Sequence, residues 1–277
     1  MLKRKSQVFR SKHTTGVINN LPESVYRADP ALSTSLLKEI GNPQRFYAMA
    51  KGLLRKSDTD CMKLGRLFHM RILERERWDK EVVVCPDEHS DKRYKENRAW
   101  WAKAEADGSI VIREHELAMV TGMERQFYQL PIVKDISEPR TELSVFARDY
   151  RKGIDTKCRI DMERDGVVVD IKTTREGGAD PIEFMRTCRK YKYAWQAQNY
   201  MGIAKAAGLN IREWYFAVVE KAAPYTCAIY SLDKDDLMAA DAQLEEAYRM
   251  VQSCQELNTY PGYTPQEPKV LSLSKGL

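Results

Sequence analysis

The chain has 277 residues, 43% hydrophobic and 31% charged, with a formal net charge of +5. That excludes wholesale disorder and allows one large domain or two modest ones. No run of eighteen apolar residues occurs, and Met1-Leu2-Lys3-Arg4-Lys5 lacks the apolar stretch of a signal peptide. The expectation is a cytoplasmic protein without a membrane span. Cys61, Cys85, Cys158, Cys188, Cys227 and Cys254 all lie more than four residues apart, so no zinc or iron–sulfur spacing is present. No Gly-x-x-x-x-Gly-Lys loop for a nucleotide is found either.

Residues 1–26 are polar and basic, with Gly16, Pro22 and no periodicity. They predict a flexible arm ahead of a single domain over 27–277. Asp29-Pro30-Ala31-Leu32-Ser33 reads as a turn, with Ser33 capping a helix over 34–40. A second helix is expected over 42–51. Over 60–78, Leu64, Leu67, Phe68, Arg71 and Ile72 fall at helical spacing, and Gly65 and His69 share a face four residues apart. Residues 91–130 carry much charge, Trp100 and Trp101, and few strand signals, which predicts one or two further helices. The part from 27 to 135 is therefore α-rich.

The period changes to two at Thr141. Turns at Arg151-Lys152-Gly153 and Arg164-Asp165-Gly166 divide 141–174 into three strands. One helix is expected over 181–207, strands over 213–220 and 226–232, and a helix over 235–255. Pro261, Pro265 and Pro268 make 258–277 an irregular tail. The fold class is α/β: a mixed sheet with an antiparallel three-strand meander over the 136–257 core, flanked by helices.

Turn chemistry extends this to a register. With Asp165-Gly166 as a two-residue type I′ loop, facing residues sum to 331, so Asp161 faces Asp170. With Arg151-Lys152 central in the preceding turn, they sum to 303, so Glu142 faces Asp161. Glu142, Asp161 and Asp170 then form one row on one face, with Lys172 two residues beyond Asp170. The opposite face carries Leu143, Val145, Ala147, Cys158, Ile160, Met162, Val169 and Ile171, and is expected to be the core side. A lone acid on a strand commonly lines a solvated face. Three abreast, roughly 4.5–5.5 Å apart at Cβ, repel one another. A divalent cation offsets that repulsion, and all-oxygen ligation suits Mg²⁺, with Mn²⁺ as substitute.

These residues also carry a resemblance. Gly153-x-x-x-x-Cys158-Arg159-Ile160-Asp161, followed by Val169-Asp170-Ile171-Lys172-Thr173-Thr174, resembles the core of the RecB-like branch of the PD-(D/E)XK nucleases. Gly65-x-x-x-His69 upstream and Gln196-x-x-x-Tyr200 downstream complete an ordered set of four motifs. Leu32-Ser33-Thr34-Ser35-Leu36-Leu37 resembles the opening of the subgroup containing the exonuclease VIII (RecE) nuclease domain and its phage relatives. The likeness runs from about residue 30 to 265. The acid before x-Lys is Asp170, where many members have Glu.

The resemblance implies a 5′-to-3′ exonuclease on linear duplex DNA, a ring-shaped homo-oligomer (a tetramer in this subgroup) and a single-strand annealing partner. Asp161, Asp170 and the Ile171 carbonyl would hold the metal, with His69 on a second metal or the scissile phosphate and Glu142 assisting. Lys172 would orient or deprotonate the attacking water. Gln196, Tyr200, Arg159 and Thr173 would contact DNA. So would Lys190 and Lys192, in the basic, aromatic stretch Arg186–Tyr193. For His69, Gln196 and Tyr200 ordinary helix packing is the alternative, and for the basic stretch a solvated helix end. An endonuclease of the same fold, or a non-catalytic scaffold binding DNA ends, are the competing readings.

Overall fold

In the computed structural model, residues 9–54 and 60–263 are described. Their elements run β1 (Gly16–Ile18), α1 (Glu23–Ala28), β2 (Leu32–Ser33), α2 (Thr34–Leu37), α3 (Pro43–Ala50), α4 (Asp60–Leu73), α5 (Arg75–Glu81), β3 (Val82–Val84), α6 (Lys95–Ala106), β4 (Ile110–Ile112), α7 (Glu114–Phe127) and α8 (Pro131–Asp135). The second half runs β5 (Arg140–Arg151), β6 (Ile154–Arg164), β7 (Val167–Thr174), α9 (Pro181–Tyr191), α10 (Tyr193–Ala206), β8 (Glu213–Glu220), β9 (Cys227–Tyr230) and α11 (Lys234–Leu257). A seven-stranded mixed sheet has the order β1-β5-β6-β7-β8-β9, with β2 added beside β6. Within this sheet, among the described residues, only the β7–β8 and β2–β6 pairs are parallel. The α9–α10 crossover supplies the long connection that a parallel β7–β8 pair requires.

The local signals account for most boundaries. Ser33 Oγ accepts from Leu36 N and caps α2, and Asn42 Oδ1 caps α3. Asp165 and Gly166 both have positive φ, as a type I′ loop demands, and Met162 pairs with Val169 at the expected sum. The preceding turn is displaced by one residue: Lys152 and Gly153 take the positive φ angles, and Arg151 pairs with Ile154. A bulge between Ala147 and Arg151, with Asp149 at φ +47°, absorbs the offset. From Ala147↔Thr156 back to Thr141↔Met162 the pairs again sum to 303. Two departures from the turn reading cancel and restore the register, but the expected row of acids is not a ladder row: the β5–β6 pairs skip Glu142, and the β6–β7 pairs end at Met162↔Val169, short of Asp161 and Asp170.

Four further expectations are corrected. The segment read as a flexible arm is folded over its described part: β1 pairs with β5, Phe9 is buried, and Ser11 N and Lys12 N donate to Asp155 and Asp29. The helix expected over 60–78 breaks at Glu74. The stretch over 91–130 contains β4, which pairs with β3 as a second small sheet. The helix expected over 181–207 breaks at Lys192, whose φ of +51° ends α9 and starts α10 in a new direction.

A fifth correction concerns the faces of the sheet. Leu143, Val145, Ala147, Cys158 and Ile160 pack with α9 and α10, whereas Met162, Val169 and Ile171 pack with α4 and α7. Alternation along β6 therefore fails between Ile160 and Met162, and the cross-strand neighbour of that point, Glu142, has φ +49°. Both faces are covered by helices, so the sheet has no solvated face on which the acids could lie.

Candidate active site

The β6–β7 ladder is short. Only Met162, Glu163 and Arg164 of β6 pair with β7, after which β7 continues from Asp170 to Thr174 beside β8 alone. Beyond Met162 the two strands part, and the candidate residues collect at this fork. A fork leaves main-chain groups without ladder partners, and buried ones must be satisfied otherwise. Here Ile171 N donates to Asp161 Oδ2 at 2.8 Å, and the Ile171 carbonyl accepts from the His69 ring.

Asp170 is buried. One of its carboxylate oxygens is ion-paired with Lys172 Nζ, and Oδ1 accepts from Gln196 Nε2 at 2.7 Å. Lys172 Nζ donates to Gln196 Oε1 at 3.3 Å, so one amide spans the acid and the lysine. The Tyr193 ring lies 4.7 Å from the same ammonium, and Phe216 lies 5.7 Å from it. His69 Nδ1 stands 4.0 Å from Asp161 Oδ2.

His69 is delivered by α4. A Cβ built on Gly65 would stand 2.7 Å from Thr173 Oγ1, inside van der Waals contact, so the glycine sets how closely α4 approaches β7. Lys63–Glu116, Arg71–Glu124 and Arg75–Glu124 ion pairs clamp α4 and the start of α5 onto α7. Glu142 pairs with Arg159 at 2.6 Å, and Arg159 Nη2 donates to the Leu21 carbonyl. The N-terminal segment thereby reaches the edge of the site.

Electrostatically the fork is short of positive charge. Burial pushes the Asp170 carboxyl up to about 6 against the opposing pull of Lys172. Burial also raises Asp161, and burial plus the Asp161 charge push Glu142 up to about 8 despite Arg159. Burial and the Lys172 charge hold His69 down to about 4, a neutral imidazole near pH 7. Burial alone would lower Lys172, but Asp170, Tyr193 and Asp161 outweigh it and the ammonium is held above its usual range.

The donor set fits a hard divalent cation. Two carboxylates, a backbone carbonyl and a neutral imidazole converge, and a dication would relieve the unbalanced acids. Among the described residues no three His, Cys, Asp or Glu side chains form a metal-holding cluster by themselves. The set is completed by the carbonyl, and Lys172 and Gln196 already engage Asp170.

The remaining candidates are spread out. Thr173 lies against Gly65. Tyr200 packs edge-on against Trp214 at 5.7 Å, within the apolar layer under α10. Lys190 and Lys192 sit at the α9–α10 joint, over the rings of Tyr191 and Trp195. Phe216 escaped the sequence reading, and Tyr193 entered it only within the stretch Arg186–Tyr193, although both rings lie beside Lys172. Tyr193 stands one turn before Gln196 on the same helix, a spacing that could have found it.

Comparison with known proteins adds the following. A family model described as a PDDEXK-like domain of unknown function (DUF3799) matches residues 33–266. A solved structure from Eubacterium rectale, described as a "Putative exonuclease", superposes with a TM-score of 0.62 at 13% identity, over 93% of this chain and 99% of that one. A phage related exonuclease from Haemophilus somnus 129PT matches at 12% identity and a TM-score of 0.33, over 83% of this chain and 97% of that one. No curated protein matches the chain.

Proposed function

The chain belongs to the PDDEXK-like family DUF3799, and on that premise we propose that it is a Mg²⁺-dependent exodeoxyribonuclease acting on linear duplex DNA. The observation that carries this reading is the fork itself: Asp161, Asp170, the Ile171 carbonyl, Lys172 and His69 converge where β6 and β7 part. An ordinary structural ion pair has no need of a second, half-buried carboxylate and of a carbonyl facing an imidazole beside it.

In this reading Asp161, Asp170, Ile171 O and His69 hold the cation, with Glu142 behind Asp161. The cation, when bound, supplies Lewis-acid stabilisation of the charge that builds on the phosphate. Lys172 orients the attacking water, and its own position is set by Gln196, Tyr193 and Asp170. The neutral His69 imidazole can serve as a ligand without first losing a proton. Gln196 acts as a positioning residue here, because both ends of its amide are engaged within the site.

Digestion of 5′-end action, the leaving of single-stranded tails for recombination, a tetrameric ring and an annealing partner belong to the same proposal. They rest on the motif resemblance. The test is digestion of end-labelled linear duplex DNA with Mg²⁺, alongside EDTA, Asp170→Ala and covalently closed circular DNA. Degradation of linear DNA alone, abolished by both controls, is the expected result. Cutting of the circles would make the enzyme an endonuclease. Binding without any cutting in Mg²⁺ or Mn²⁺ would overturn the catalytic reading.

A further inference from the structure

The break between α9 and α10 builds a surface that the cleavage reading leaves unused. Tyr191 and Tyr193 flank the left-handed Lys192, with ring centroids 6.0 Å apart and planes 25° apart. Tyr193 continues onto Phe216 at 5.6 Å and 23°. The three rings form a near-parallel series, with the Lys172 ammonium 4.7 Å from the middle one. Its outer end is bare: Tyr191 is 51% exposed.

The charge around that end is one-sided. Arg175 and Arg186 share an ion pair with Glu183, but Arg189, Lys190 and Lys192 make no ion pair among the described residues. Lys190 Nζ lies 5.4 Å from the Tyr191 centroid. A solvated helix end gains nothing from an exposed aromatic ring aligned with a half-buried one and a buried one. A ligand with flat π-faces and a phosphate backbone uses every part of the arrangement: the ring stacks a base and the three cations follow the phosphates.

We propose that the α9–α10 joint binds unpaired nucleotides, with a base stacked on Tyr191, and leads the strand toward Lys172. This deepens the nuclease reading and rests on it for the identity of the nucleic acid. Paired bases inside a duplex have both faces occupied, so the platform selects a frayed end or a single strand.

The experiment measures fluorescein-labelled dT12 and an abasic strand of equal length by anisotropy, in EDTA and low salt. The proteins are the full chain, Tyr191→Ala, Tyr191→Phe and Lys190→Gln. Tyr191→Ala should weaken dT12 by about 5- to 150-fold, the effect of losing one stacked base, and leave the abasic strand unchanged. Tyr191→Phe, which keeps the ring, should restore dT12 binding. Lys190→Gln should weaken both strands and reduce the salt dependence of binding by about one counterion. Equal affinities of Tyr191→Ala and the parent protein for dT12, or equal losses on the two strands, would overturn the platform. Cleavage of linear duplex by a protein that fails these arms would overturn the platform alone. A parent protein that stacks dT12 on Tyr191 yet cuts nothing would support the platform and overturn the catalytic reading.

Discussion

Replacing Gly65 with alanine should fail to stabilise the protein although alanine is the better helix former. In the helix interior the exchange alone contributes about 1 kcal/mol of stability. Here the new methyl would meet Thr173 Oγ1 at 2.7 Å, while the next nearest atom, Thr173 Cβ, is 3.9 Å away. The clash is with a single oxygen on a side chain that is stiff at χ1. Overpacking of this kind costs about 1–3 kcal/mol. Gly65→Ala should thus be neutral to destabilising by about 2 kcal/mol, the propensity gain offsetting part of the clash. Removing the oxygen with Thr173→Ala leaves only the ordinary contact at 3.9 Å. The double variant should recover the stability lost by Gly65→Ala, with a favourable coupling of at least about 1 kcal/mol. Thermal melts in EDTA of all four proteins measure this, at about 2–4 °C per kcal/mol for a chain of this size. Cleavage assays, with each Gly65 variant referred to its own Thr173 background, then report whether His69 moves with the helix. A Gly65→Ala protein that melts above its parent, with coupling within about 0.5 kcal/mol of zero, would refute the idea that this contact sets the distance from α4 to β7.

Lys172→Met should lower cleavage by about 10²–10⁴-fold, the range for a positioned acid–base group, while duplex binding in EDTA persists; loss of binding in parallel would point to misfolding instead. Asp170, raised to about 6, binds more protons folded than unfolded between about pH 4 and 6. Its contribution therefore falls as pH rises through that window, by an amount on the order of 2 kcal/mol. Melts in EDTA at pH 4.5 and 7 should show this slope relative to Asp170→Asn, and equal slopes in the two proteins would remove the inference. Mg²⁺ at neutral pH should raise the melting temperature of the parent protein and leave Asp161→Asn and Asp170→Asn unmoved, as read by scanning fluorimetry. Arg159→Met should destabilise by about 1–3 kcal/mol through the orphaned Leu21 carbonyl and Glu142, and unchanged urea midpoints would show that the N-terminal segment is held by other contacts.

The meander was readable because turn residues act locally. Asp165-Gly166 can hardly be anything but a tight loop, and that alone gives the Met162↔Val169 register; the expected Asp161–Asp170 pair falls just beyond it, where the strands part. The second turn was misplaced, yet a bulge at Asp149 restored the register. Nothing in Arg148-Asp149-Tyr150 announces a left-handed residue, so this agreement came from compensation. The convergence of His69 on the fork was accessible only through motif order, since a helix 100 residues upstream has no register with β7. The short strands β3 and β4 were missed although Val82-Val83-Val84 and Ile110-Val111-Ile112 are β-branched throughout; three residues are too few to show a period. The covering of both sheet faces was hidden because the acids look solvated in sequence. Burial of Asp170 depends on the packing of α10, and the break at Lys192 that starts α10 carries no glycine or proline to mark it.

The fork between β6 and β7 has a genetic consequence. The Ile171 carbonyl that faces His69 belongs to the main chain, so no codon change can delete it. Any β-branched apolar residue at position 171 would present the same oxygen, and a mutational scan would score the site as tolerant there. Its contribution becomes visible only by chemical synthesis: an ester in place of the 171–172 amide weakens that carbonyl as an acceptor and leaves every side chain in place.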